Sequence, residues 1–300
     1  MVGAGVIGSL YAGHLARVAE VEVLCRRGEH ARALNDDGLR VTGRSGEFVS
    51  RVRAATDPAE LGDVDVVIVA TKATELDAAA ARLEGAFDGA TVMTVQNGLG
   101  AEEIVARHGA WPLLSAVTFM SGTRQADTHV EYILDTETWV GPYTAPYERA
   151  AEVADTLRAA GLKARAFDDL RPAQWSKLIF NATVNAVAAL TQLPHDEHFA
   201  ATDEPWQLGH LVRALVGEGK AVATAAGIPL HDDPWEMNVL ATRRGSAHYP
   251  SMLEDVLAKR RTEVDLITGA LVREADRHGV AVPLHRAMWQ LVRAREESPL

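Results

Sequence analysis

The stretch MVGAGVIGSLYAGHLARV, residues 1–18, places Gly3, Gly5 and Gly8 in the spacing G-x-G-x-x-G and continues as helix-forming sequence over 9–18. In a βαβ unit each glycine has a separate task. The first permits a tight turn, the second lets a pyrophosphate approach the backbone, and the third lets helix pack closely on strand, with the helix N-terminus facing the phosphates. The pattern alone is weak, and its context makes it informative. A second strand is expected at 21–25, VEVLC, at the separation a βαβ unit requires. Only Met1 and Val2 stand before Gly3 where a central, buried strand should run. Four missing apolar side chains would remove roughly 6 to 12 kcal/mol, comparable with a domain's whole stability of about 5 to 15. The expectation is a truncated first strand and a natural start a few codons upstream; an intact mass matching Met1 would refute it.

The second strand ends at Arg26-Arg27, where an NAD site would carry Asp or Glu for the ribose hydroxyls. A guanidinium pairs bidentately with a dianionic 2′-phosphate, so arginine there favours NADP. The alternative is a solvated arginine pair opening a loop. The run VDVVIVAT, 64–71, reads as a buried parallel strand ending at Thr71-Lys72, and ATVMTV, 90–95, as another ending at QNGLG, 96–100. A crossover helix is expected between them at 75–87. Ligands of open α/β sheets lie at the carboxyl ends of strands, which places Lys72 and Asn97 where a nicotinamide and its substrate would be. For Lys72 the competing reading is a surface lysine opening a helix. Further strands are expected at 117–121, 139–141 and 164–167, with a helix at 148–160. Their order in the sheet is not readable from the sequence.

After Asp168 the texture changes. Apolar residues recur at helical spacing over 174–190, 206–226, 251–278 and 285–295, punctuated by Pro194, Pro205, Pro229, Pro234 and Pro250. Gly227 before Pro229 and Gly279 before Pro283 read as helix ends. The fold class expected is α/β: an N-terminal Rossmann-like doubly wound sheet over 1–168 plus an all-α C-terminal domain over 169–300.

Within that second domain, QWSKLIFNATVNAVAAL (174–190) sets Lys177, Asn181 and Asn185 at successive i+4 positions, one above the other on a helix. A solvent face would carry Glu, Lys and Arg. An apolar core would not hold an amine and two amides, because each buried polar group without a partner costs roughly 1 to 3 kcal/mol. The stripe therefore suggests a ligand, against the alternative of half-exposed residues bonded to a neighbouring loop. A second polar set, YPSMLEDVLAKRRTE (249–263), begins a helix after Pro250, with Ser251 and Asp255 as i,i+4 neighbours. Arg260, Arg261 and Glu263 there read by default as a solvated face, and spacing alone does not raise Glu263 to a site residue.

Composition excludes several classes. With 30 Lys and Arg against 41 Asp and Glu, the formal net charge of −11 disfavours binding to nucleic acid or anionic lipid. No apolar run reaches a membrane span, and no basic-then-apolar leader is present. The single Cys25 fits a packing role and a reducing compartment, hence a cytoplasmic protein. His195 and His198 lack a third ligand at plausible spacing, so no metal is expected. Trp175, Trp206, Trp235 and Trp289 read as packing residues.

Taken together, GAGVIGSLYA, the Thr71-Lys72 strand end, QNGLG, KLIFNATVNAVAAL and SMLEDVLAKRRTEVDLITGALVREADRHGVAVP resemble the ketopantoate reductase (2-dehydropantoate 2-reductase) family over nearly the whole chain. The resemblance implies that Lys177 is the general acid that protonates the carbonyl oxygen, and that Glu263 holds the substrate's far hydroxyl. It implies that Asn97, Asn181, Asn185 and Ser251 orient substrate. It further implies that Gly3, Gly5, Val6, Ile7, Gly8, Arg26, Lys72, Asn97 and Glu263 border the cofactor, NADPH. The expected partner is a small 2-oxo acid, with room for a homodimer. The alternatives are reduction of another small 2-oxo acid on the same fold, or an NADP-binding sensor without turnover.

Overall fold

A computed structural model describes residues 1–203, 207–243 and 249–298. The chain divides into two compact units, Met1–Gln96 with Ala101–Leu170, and Asn97–Gly100 with Arg171–Leu300. The first unit runs α1 (Val6–Leu15), β1 (Glu22–Leu24), α2 (Gly28–Asp37), β2 (Leu39–Gly43), β3 (Phe48–Ser50), β4 (Arg53–Ala55), β5 (Val66–Val69), α3 (Leu76–Ala81) and β6 (Thr91–Thr94). It continues through α4 (Ala101–Ala106), β7 (Leu113–Thr118), β8 (Ser121–Ala126), β9 (His129–Leu134), β10 (Thr138–Pro142), α5 (Tyr147–Ala159) and β11 (Ala164–Ala166).

Val2 bridges Leu24 and Val69 in parallel, and so joins the pair β4-β1 to the ribbon β5-β6-β7-β10-β11. The strands around Val2 pair in parallel, and β10 runs antiparallel to β7. The apolar run of β5 and the fully buried β6 follow from this placement: Val67, Ile68, Val69, Val92 and Met93 are all buried, as are Thr91 and Thr94. On folding, each such side chain contributes about 1.5 to 3 kcal/mol.

Four strands depart from expectation. β2, β3, β8 and β9 form a separate sheet ordered β3-β2-β9-β8. The stretch 117–121, read as one strand, is instead a corner: β7 ends at Thr118, β8 begins at Ser121, and the Thr118 hydroxyl accepts from the Met120 amide at 3.1 Å. The strands of this sheet alternate in burial or, like β8, lie largely exposed, so they lack the apolar run that marks a buried strand. The crossover helix is also shorter than expected. Only Leu76–Ala81 is α-helical, and the positive φ of Gly85 and Phe87, 70° and 56°, shows that the backbone has left the helix.

The second unit is helical: α6 (Arg171–Thr191), α7 (Leu208–Ala225), α8 (Pro234–Thr242), α9 (Ser251–Leu257), α10 (Thr268–Arg277) and α11 (Pro283–Glu297). Helix α6 is buried along most of its length and packs against α7, α8, α9, α10 and α11. Gly227 and Gly279 take φ of 68° and 66°, and the amides of Ile228 and Val280 reach back to the carbonyls of Ala223 and Ala275, closing α7 and α10. The single helix read at 251–278 is broken. α9 stops at Leu257, Lys259 adopts φ 52°, and the chain crosses a turn before α10. Asp233 caps α8 by accepting from the Trp235 amide at 2.8 Å, with Pro234 at the first helical position. Trp206 and Pro205 lie outside the described residues. Of the other tryptophans, Trp175 is core, Trp289 packs beside the core of this unit, and Trp235 carries Arg213 over its ring at 5.5 Å. Among the described residues, no helix is long and apolar enough to cross a membrane.

Candidate functional site

At the start of the sheet unit the glycine spacing becomes a cradle. Gly3 has φ 91°, and a Cβ on Gly8 would lie 2.0 Å from the Gly3 carbonyl oxygen, so neither position tolerates a side chain. A Cβ on Gly5 would meet nothing within 4 Å, which leaves open space over the backbone. Gly5 caps α1 without a side-chain acceptor. The amides of Val6, Ile7 and Gly8 in the first turn therefore have no intrahelical partner, the arrangement that binds a pyrophosphate.

Gln96 was not singled out from the sequence, yet it ties two strand ends together. Its Nε2 donates to the carbonyls of Val69 at 2.9 Å and Thr71 at 3.0 Å. It thereby extends the pairing of β5 and β6 one step beyond their last ladder bonds, and Lys72 and Asn97 follow directly from the two tied ends. Lys72 is exposed and opens the 3₁₀ turn Ala73–Glu75. Arg26 donates to Glu75 at 2.8 Å, with the two side chains 75% and 50% exposed. A pair this wet is worth about 0 to 1 kcal/mol, so Arg26 can exchange it for a phosphate at little cost.

In the helical unit Lys177, Asn181 and Asn185 are 8%, 9% and 5% exposed, and thus buried rather than half-exposed. Asn181 Nδ2 makes a long contact of 3.5 Å to Asn97 Oδ1, and Asn97 Nδ2 donates to Glu263 Oε2 at 3.3 Å. The orientation of the Asn97 amide follows from chemistry. An ionised carboxylate only accepts, so the Asn97 NH2 must face Glu263, and its oxygen is left for the NH2 of Asn181. Burial pulls the Lys177 amine down to about 8 from its ordinary 10.5, against the Glu263 charge, which pulls it up.

Glu263 is buried, 7% exposed, and it lies on the turn between α9 and α10. This overturns the reading of Glu263 as part of a solvated face, whereas Arg260 and Arg261 are exposed as expected. Arg260 is held by the buried Asp255, whose Oδ1 accepts from Arg260 Nε at 2.9 Å. The Thr262 amide is fixed by Glu296 at 2.6 Å, and the Glu263 carbonyl accepts from the amides of Leu266 and Ile267 at 3.1 Å. The Leu266 carbonyl in turn accepts from Leu99 at 3.0 Å, which joins the 97–100 segment to this turn. Ser251 is half-buried at the first position of α9.

Other sequence candidates have structural partners. His195 sits edge-on to Phe180 and Phe199 and bonds Asn238 at 2.9 Å, while His198 pairs with Asp196. Among the described residues, no group of three or more potential ligands could hold a metal. Cys25 is buried, and burial pushes its thiol up to about 11.

A Rossmann-type sheet with a glycine cradle, followed by a helical domain, is the architecture of an NAD(P)H-linked oxidoreductase. The chain belongs to the ketopantoate reductase family: residues 1–145 match Ketopantoate reductase PanE/ApbA, and residues 169–296 match Ketopantoate reductase PanE/ApbA C terminal. It is 34% identical to the 2-dehydropantoate 2-reductase of Halobacterium salinarum, over 97% of this chain and 96% of that one. The crystal structure of 2-dehydropantoate 2-reductase from Geobacter metallireducens superposes with a TM-score of 0.89 at 28% identity, covering 98% of both chains. D-mandelate dehydrogenase, in a ternary structure with NADH and anilino(oxo)acetate, shares the fold at a TM-score of 0.87 and 24% identity, covering 99% of both chains.

Proposed function

We propose that this protein is an NADPH-dependent 2-dehydropantoate 2-reductase, forming (R)-pantoate for pantothenate and coenzyme A in the cytoplasm. The observation that carries the reading is the part-buried chain of contacts from Asn181 through Asn97 to Glu263, with the Lys177 amine in the same field. The sheet unit's glycine cradle fits a dinucleotide, held by the amides of Val6, Ile7 and Gly8, with Arg26 for a 2′-phosphate and Lys72 and Asn97 at the strand ends. NADPH, when bound, supplies the hydride. As negative charge grows on the substrate oxygen, the Lys177 ammonium stabilises it and then gives up its proton. Glu263 accepts a hydrogen bond from the far hydroxyl of the substrate, and Asn185 and Ser251 donate to the carboxylate. Burial of Lys177, Asn185 and Glu263 keeps water away from them, which strengthens their interactions.

The test is cofactor oxidation with ketopantoate, run with NADPH and NADH and beside a panel of other 2-oxo acids. Turnover with NADPH and ketopantoate alone is the expected result, and Glu263→Ala should raise the KM for ketopantoate by about tenfold or more through loss of one charge-assisted hydrogen bond. Turnover confined to another acid, with Glu263→Ala leaving its KM unchanged, would move the substrate while keeping the mechanism. The sharing of this fold with a mandelate dehydrogenase is why the panel matters, since fold does not choose substrate.

A further inference from the structure

Arg26 and Arg27 follow one another at the end of β1, yet their side chains diverge. Arg26 pairs with Glu75, whereas Arg27 Nη2 donates to Asp127 Oδ2 at 2.7 Å. Asp127 stands in the turn between β8 and β9, the hairpin of the second sheet. Its other oxygen accepts from Arg124 Nη2 at 2.5 Å, and its backbone carbonyl lies 2.8 Å from His30 Nε2. Arg124 also points Nη2 at His30 Nδ1, 3.5 Å away.

The His30 tautomer follows from these partners. Arginine can only donate and a carbonyl can only accept, so Nδ1 carries the lone pair and Nε2 the hydrogen. His30 is buried, 6% exposed, on the first turn of α2. Burial and the Arg124 charge both hold its pKa below the ordinary 6.5, so the ring is neutral at pH 7. The cluster is therefore two guanidiniums fixed on one carboxylate, with one positive charge in excess. Burial raises the Asp127 carboxyl, but the Arg27 hydrogen bond and the Arg124 charge outweigh that and keep it below its usual range.

This excess lies where a ligand could reach it. The side chains of Arg27, Arg124 and Asp127 are 49%, 38% and 38% exposed. Arg27 is also the N-cap of the ten-residue α2 and makes no side-chain cap bond, so the first-turn amides of that helix add to the positive potential. Cys25, at the same strand end, senses Arg124, Arg27 and Arg82 together. A 2′-phosphate carries close to two negative charges, and Arg26 supplies one guanidinium.

We propose that Arg124, held beside Arg27 on Asp127 at the tip of the β8–β9 hairpin, adds a second cationic wall to the adenosine 2′-phosphate site that the Arg26-Arg27 pair opens. The proposal deepens the NADPH reading above and rests on it. The second sheet then has a task in cofactor choice: its hairpin brings Arg124 to the end of β1.

The experiment is a fluorescence titration of the full chain with NADPH and with NADH at one ionic strength, for the wild type and for Arg124→Gln. The expected result is NADPH affinity weakened by about tenfold, the scale of one charge-assisted hydrogen bond, with NADH affinity changed less than about twofold. A purely structural ion cluster would weaken both cofactors alike, and that outcome overturns the proposal, as does an Arg124→Gln protein that keeps its full NADPH preference. A wild type with no preference for NADPH would instead bring down the cofactor reading, and this proposal with it. Should Arg124→Gln fail to fold, Arg124→Met carries the same expectation.

Discussion

Lys177→Ala is expected to lower kcat by about a hundredfold to ten-thousandfold, the range of a general acid, while NADPH binds as before. In the proposed mechanism the substitution removes the amine that stabilises and protonates the new alkoxide, and it leaves the glycine cradle of the sheet unit intact. Steady-state kinetics beside a cofactor titration separate the two effects. A nucleotide sensor would show no turnover to lose, so wild-type turnover that vanishes in the variant rejects that alternative. A variant with turnover near the wild-type value would reject the role given to Lys177.

The same residue sets a pH signature. Its amine is lowered to about 8, burial being the larger cause and Glu263 the opposing one. If Lys177 is the acid as proposed, reduction needs the ammonium, so its kcat should fall as pH rises through about 8, and oxidation of the alcohol, which needs the free amine, should rise through the same point. For folding, the unfolded chain keeps this proton up to about 10.5, whereas the folded chain releases it at about 8. Stability rises with pH wherever the unfolded state binds more protons, so this group alone makes the fold more stable from about pH 8 to 10.5. A reductive kcat that stays level through pH 9 would contradict the assignment.

Gly98→Ala should be the most damaging small substitution in the 96–100 loop. A Cβ there would stand 1.7 Å from the Leu266 carbonyl oxygen, at φ 96°, so the backbone has to move. The Leu99 amide bonds that same carbonyl at 3.0 Å, and Asn97 reaches Glu263 from the next residue. We expect Tm to drop by about 5 to 10 °C, from strain plus the broken contact. We also expect kcat/KM to fall by about a hundredfold, because a shift near 1 Å in a positioned group is enough for that. Gly46→Ala is the control: its φ is 83°, but a Cβ there meets nothing within 4 Å. It carries the strain without the collision. If both variants lose the same small amount of stability and neither loses activity, the close approach at Gly98 is not what holds Asn97.

Much of the sheet unit can be read locally. The glycine spacing and the buried runs of β5 and β6 are patterns within a single element, and burial enforces them residue by residue. The Lys177, Asn181 and Asn185 stripe is legible for the same reason. The charged stretch around Glu263 is misleading, because a run of Arg and Glu near a helix end has no local mark to show that one carboxylate turns inward. Its burial depends on Glu296, on the break after Leu257 and on Asn97, which is 166 positions away. The second sheet escaped for a related reason: β8 is polar and exposed, and its place is decided by backbone pairing with β9.

The sequence by itself thus determined the α/β class, the cofactor loop and the helix that carries the amine, since each is written as a repeat within one element. Only the tertiary structure decided the strand order, the joining of Asn97–Gly100 to the helical unit, the inward turn of Glu263 and the convergence of Arg27, Arg124 and Asp127 at the end of β1. Each of these depends on hydrogen bonds, ion pairs or strand pairing between residues far apart in the chain, and a local pattern carries no record of its distant partner.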